Sequence, residues 1–205
     1  MSKERITLPE GRLINHALFE KDTFKDEKGR EATPRYKIEL ALEVDSVKEL
    51  EDAIVAAAVA EWGASAEKEY DEGKIDSPIL EGDELAAKRE AKGKSGDAYK
   101  GKLVVRASTQ FNKNGDDAPG GVYVCGPDAV ELDFADRGQV FNGCFGVAVV
   151  VPSAYSISGK RGVTLYLEGF QKTKDGDRLG GGDKSSLFKP MMGAGSESKG
   201  RRSRG

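Results

Sequence analysis

Cysteine, histidine and tryptophan are scarce in this sequence: two, one and one in 205 residues. Two cysteines cannot build a disulfide scaffold or a cysteine-rich zinc module. A lone His16 leaves no room for histidine-based metal or triad chemistry. No apolar run approaches the roughly 18 residues that a membrane span needs. The opening Met-Ser-Lys-Glu-Arg is charged and no apolar stretch follows it, which argues against a secretory signal. The expectation is a soluble, intracellular protein with one elaborated domain over residues 1–190.

Motifs that resemble catalytic or metal sites do not survive their physical tests. Gly96-Asp-Ala-Tyr-Lys-Gly-Lys102 nearly spells a phosphate-binding loop, but Leu103 stands where a hydroxyl should meet magnesium. That segment also leads into a strand rather than into a helix. Asp175-Gly-Asp177 and Gly180-Gly-Gly-Asp183 look like calcium-loop fragments, yet no glutamate follows at the required spacing. His16 reads as a packed or surface histidine, and Cys125 and Cys144 as free thiols packed like small apolar residues. Carboxylates are abundant, but no pair sits in an apolar setting that would shift a pKa. Neither an enzyme site nor a cofactor is visible.

Charge is present in both signs and is partitioned. The net charge is −3, but residues 43–97 hold 16 acidic and 7 basic side chains, whereas residues 98–205 hold 11 and 16. Binding responds to local potential rather than to the sum, so a polyanionic partner is compatible with this total.

Residues 12–20, RLINHALFE, read as a strand, and RYKIELALEV (35–44) alternates strictly. Tyr36, Ile38, Leu40, Leu42 and Val44 share one face, and Arg35, Lys37, Glu39, Ala41 and Glu43 the other. Ser46 followed by Glu49 predicts a capping box opening a helix that ends at Trp62-Gly63. The acidic stretch 64–97 reads as an insertion, mostly loop, with a helical piece around 83–91. Strands follow over 102–109, 121–124, 143–151 and 162–170, with glycine-containing turns between them. Five or more short strands and a helix after the second predict a mainly β protein forming a small closed or partly closed barrel. Residues 191–205 are small, polar and basic, and read as a disordered tail.

Equal parity places Lys100, Lys102, Arg106 and Ser108 on one face of the third strand, and Thr164, Tyr166, Glu168, Phe170 and Lys172 on one face of the last. Aromatic rings among cations suit single-stranded nucleic acid, because bases stack on the rings while Lys and Arg hold phosphates. Tyr166 and Phe170 are equally compatible with packing under the insertion or at a homodimer interface.

The stretch VFNGCFGVAVVVPSAYSISGKRGVTLYLEGFQKTKDGDRLGGG resembles phage single-stranded-DNA-binding proteins of the OB-fold type. The similarity rests on Phe141, Gly143-Cys144, Ala154-Tyr155, Gly159, Gly162-Val163, Gln171-Lys172, Asp175-Gly176 and Leu179-Gly-Gly. The N-terminal RLINHALFE and RYKIELAL are similar less specifically. The resemblance implies an OB-like five-stranded barrel and protection of replication or recombination intermediates in the cytoplasm of the bacterial host. The implied groove uses Lys37, Lys100, Lys102, Arg106, Lys160, Arg161 and Lys172 for phosphates. Tyr99, Phe111, Tyr155, Tyr166 and Phe170 are its stacking candidates.

The implied partner is single-stranded DNA, with duplex DNA, a second copy of the chain and replication proteins as further candidates and no membrane. Proteins of this function often end in an acidic, aromatic-tipped segment, whereas residues 197–205 carry four basic side chains against Glu197. Two rival readings are a phage structural protein of the virion or tail, and a metal-assisted nuclease using the carboxylates of Asp175–Asp183.

Overall fold

Alternating hydrophobicity builds long strands that close on one another. The computed structural model describes residues 4–23, 31, 33–114 and 121–180. In chain order these form β1 (Ile6–Thr7), β2 (Gly11–Asp22), β3 (Arg35–Leu42), α1 (Lys48–Trp62), α2 (Ser65–Asp71), β4 (Ile75–Asp76), β5 (Ile79–Glu81) and α3 (Gly82–Glu90). Then follow β6 (Leu103–Thr109), β7 (Tyr123–Cys125), β8 (Phe145–Ile157) and β9 (Lys160–Lys174). The order β8-β2-β3-β6-β9, with β9 paired back onto β8, makes a closed ring of five strands.

The ring is filled by the alternating residues. Tyr36, Ile38, Leu40 and Leu42 of β3 are buried with Leu13, Leu18, Val105, Leu165 and Phe170. Leu50, Ile54 and Ala58 of α1 pack onto the same core. Val44 is exposed in a 3-10 turn, so the inward pattern ends at Leu42.

The capping expectation is corrected. Ser46 closes that turn, its hydroxyl donates to the Glu43 carbonyl at 2.7 Å, and α1 begins two residues later without a side-chain cap.

Residues 64–97 differ most from expectation. They hold α2, β4, β5 and α3 rather than mostly loop. The strand β5 pairs with β6 at Leu103–Val105, and β4 pairs with β9 at Arg161–Gly162. Because β6 and β9 share only the Ser108–Tyr166 register pair, these two short strands fill the gap between them. Ala86 of α3, together with Tyr99, covers Ile14, Ala41 and Val104 on the outer face. Ile14 reaches that face as the neighbour of inward-facing Leu13, and the register shift between Leu13 and Asn15 inverts the parity of β2 beyond it, which brings Leu18 inward as well.

The hairpin β8–β9 is longer than the sequence suggested, since it runs on through Pro152–Ile157. Ser158 and Gly159, with φ of 53° and 80°, make the two-residue turn that suits the twist of the strands. The predicted tail, 191–205, lies outside the described residues.

Candidate nucleic-acid interface

Three neighbouring strands of the ring expose one mixed basic and aromatic face. Lys37 lies opposite Ser108, and Ser108 opposite Tyr166, so the three form a row across β3, β6 and β9. Strands lie about 4.8 Å apart, which sets Lys37 about 10 Å from Tyr166 across the sheet. The next row pairs Glu39 with Arg106.

Two clefts open on this face and meet at Arg35. One, of about 620 Å³, is lined by Arg5, Arg35, Gln110, Phe111, Tyr166 and Glu168. The other, of about 540 Å³, is lined by Arg35, Lys37, Glu39, Pro78, Arg106, Ser108, Tyr155 and Thr164. Phe111 is 72% exposed and Tyr166 46%. The Phe111 backbone is fixed, because its N–H donates to Thr109 Oγ1 at 3.1 Å.

Three cations of the face already have carboxylate partners. Arg106 binds Glu39 at 2.8 Å, Lys37 binds Asp22, and Arg5 binds Glu168. A phosphate entering here exchanges one anion for another, so the guanidinium and ammonium groups are held in place beforehand. Tyr155 borders the second cleft, its ring against Gly162 and its hydroxyl 3.5 Å from Asp76. Burial first, and then the Asp76 charge, push that phenol above its ordinary value.

Of the predicted site residues, Lys37, Arg106, Phe111, Tyr155 and Tyr166 share this face, and Lys160 stands exposed at the start of β9 beside the hairpin turn. The other six do not join it. Tyr99 is 6% exposed, packed beneath α3 with the Arg89 guanidinium over its ring. Phe170 is 2% exposed, because Glu168 is an extra residue between the Val149–Gly169 and Val150–Leu167 pairs. That bulge reverses the parity of β9 and turns Phe170 inward. Lys100 lies in a turn before β6 and pairs with Glu90 and Asp97, while Lys102 pairs with Glu43. Arg161 is held by Glu69 and lies over Trp62. Lys172 has a nearly covered side chain bound to Asp175 and to the Gln139 carbonyl.

The face also contains residues that the sequence reading did not choose. Arg35 shares the parity of Lys37, and that signal alone would have found it. Arg5 arrives only because β1 pairs with β8, a long-range contact that no local pattern announces.

Elsewhere the chemistry is quiet. Cys125 and Cys144 are free and buried, and burial pushes both thiols up. Among the described residues, no cluster of His, Cys, Asp or Glu is placed to hold a metal ion. Nor is any described helix long and apolar enough to cross a membrane.

Solved structures share this fold. The single-stranded DNA-binding protein from bacteriophage Enc34, in complex with ssDNA, superposes with a TM-score of 0.63 at 17% identity over 86% of this chain and 89% of that one. The protein gp2.5, a single-stranded DNA binding protein encoded by bacteriophage T7, gives 0.57 at 14% identity over 99% and 100%. No curated protein sequence matches. The family described as Enterobacter phage Enc34, ssDNA-binding protein, matches residues 5–193, and this chain belongs to that family.

Proposed function

We propose that this chain is a non-sequence-specific single-stranded-DNA-binding protein with an OB-type barrel, acting in phage DNA replication or recombination inside the host cell. It works by binding rather than by catalysis. The observation that carries this reading is the continuous outer face of β3, β6 and β9. There Arg35, Lys37 and Arg106 stand beside the exposed rings of Phe111 and Tyr166.

OB folds bind oligonucleotides on the face of their second and third strands, flanked by the loops after the first and fourth. In this ring β3 and β6 hold those strand positions, and the Ser158–Gly159 turn beside Lys160 holds the fourth-loop position. Stacking contributes about 1–3 kcal/mol per base, and phosphate contacts carry no sequence preference. Duplex DNA would meet the same cations but keeps its bases stacked internally, so the face favours single strands.

The test is fluorescence anisotropy with labelled poly-dT and a duplex of equal length, at low and at physiological salt. The expected outcome is single-strand preference with affinity falling as salt rises. Loss of at least about fivefold on replacing both Phe111 and Tyr166 by alanine is expected as well. Absence of binding to either nucleic acid would leave a structural role in the phage particle as the better reading.

A further inference from the structure

We infer that the DNA path continues past Tyr166 along β9 to Tyr123, which acts as a third stacking platform; this rests on the single-strand-binding reading above. Among the described residues, the exposed aromatic side chains are Phe111, Tyr166 and Tyr123, the last at 44%. All three lie along one edge of β9. On that edge β6 joins at Tyr166, and β7 joins three residues further on, with Tyr123 opposite Gly169. The segments bearing Phe111 and Tyr123 are also tied to each other, because Lys113 N–H donates to the Gly121 carbonyl at 3.0 Å.

The ring of Tyr123 faces outward because Val124, the next residue of the strand, takes the inward position opposite Phe170. Its cross-strand neighbour is glycine, so no side chain reaches the ring from that position; a Cβ on Gly169 would come within 3.5 Å of it. The backbone is fixed on both sides. Val122 N–H donates to the Leu18 carbonyl at 2.9 Å, and Leu132 N–H donates to the Val124 carbonyl at 2.8 Å. A base meeting Tyr123 therefore meets a ring on an ordered support, where little freedom remains to be lost. Burial does not explain this side chain, and stacking does.

Three residues of strand separate Tyr166 from Gly169, about 10 Å along β9. A short oligonucleotide can fill the Phe111–Tyr166 cleft without reaching Tyr123, whereas a longer one covers both. This makes the effect of Tyr123 depend on length.

The experiment is a series of labelled oligo-dT lengths titrated against the full chain, Tyr123→Ala and Tyr123→Phe, with Tyr166→Ala beside them. Expected is a loss of about fivefold or more for Tyr123→Ala on long oligonucleotides, none on the shortest that still bind, and wild-type behaviour for Tyr123→Phe. The melting temperature of Tyr123→Ala should match wild type. If Tyr166→Ala weakens binding while Tyr123→Ala binds every length normally, the extension is wrong and the single-strand reading stands. An equal loss at all lengths together with a lowered melting temperature also overturns it, by showing a structural role. If the wild type binds no oligonucleotide, both readings fall.

Discussion

Tyr155 and Tyr123 each lie against their paired glycine, Gly162 and Gly169, and the Phe170 ring reaches over Gly146, two residues from its own partner Ala148. A side chain at Gly162 or Gly146 would collide with the ring above it, so these glycines are spaces cut for aromatics. The most specific part of the family resemblance has a similar meaning. A Cβ on Gly143, whose φ is +114°, would strike the Asp177 carbonyl, and one on Gly176 would strike Gly143 and the ring of Phe145. Those motif residues lock together the turn before β8 and the turn after β9, which is scaffold rather than contact surface. His16 yields a pH prediction. Burial holds its pKa below the ordinary value, and its Nδ1 is buried without a partner. The unfolded chain then binds the proton more readily. Stability is full above about pH 6.5 and falls as pH drops toward the lowered folded value. As His16 is the sole histidine, thermal melts at pH 7.5, 6 and 5 should show a falling midpoint that His16→Gln flattens. The lowering at Glu10, from hydrogen bonds to Lys174 and Thr173, acts in a separate and more acidic window.

At the scale of elements, Glu168 sets the parity of the end of β9. Its deletion removes the extra residue, so Leu167, Gly169 and Phe170 alternate simply, keep their partners Val150, Val149 and Ala148, and Phe170 stays in the core. Glu168→Gly keeps the extra residue and should lie within about 1 kcal/mol of wild type. Urea unfolding of the two variants checks this: near-equal midpoints are expected, and a loss of about 3–5 kcal/mol on deletion, the size of an expelled phenylalanine, would refute Glu168 as the extra residue. The same residue marks where the sequence stopped being legible. Alternation in 35–42 was readable because β3 has no interruption along it, and it correctly sorted Ile38 and Leu40 from Lys37 and Glu39. In β9 one inserted residue undid a parity argument that was sound up to Leu167, and Phe170 went from platform to core. The insertion was unreadable for another reason. Ile75 and Ile79 look too sparse to anchor a fold, yet β4 and β5 borrow their stability from the open edges of β9 and β6. Tyr99 was misplaced with them, since only the presence of α3 makes it a buried residue.

At the scale of the whole molecule, the cations of the face belong to a chain whose total charge opposes DNA. Residues 181–205 hold six basic and two acidic side chains, which leaves residues 1–180 with 26 basic and 33 acidic. Screening reconciles this excess with binding. At physiological ionic strength the Debye length is about 8 Å, so a strand on the outer face senses Arg35, Lys37 and Arg106 before the acidic helices. At low salt the reach grows to tens of ångströms and the excess of carboxylates is felt as repulsion. The C-terminal segment changes that balance by +4, because its removal shifts the formal net charge from −3 to −7. Truncation after Gly180 should therefore weaken poly-dT binding, most strongly at low salt. If all four excess charges meet phosphates, the slope of log K against log salt should become shallower by about three, at roughly 0.7 per contact on single strands. A truncated protein with unchanged slope would show that these basic residues take no phosphates. One that binds more tightly would show that they occupy the face in the free protein and must leave before DNA enters.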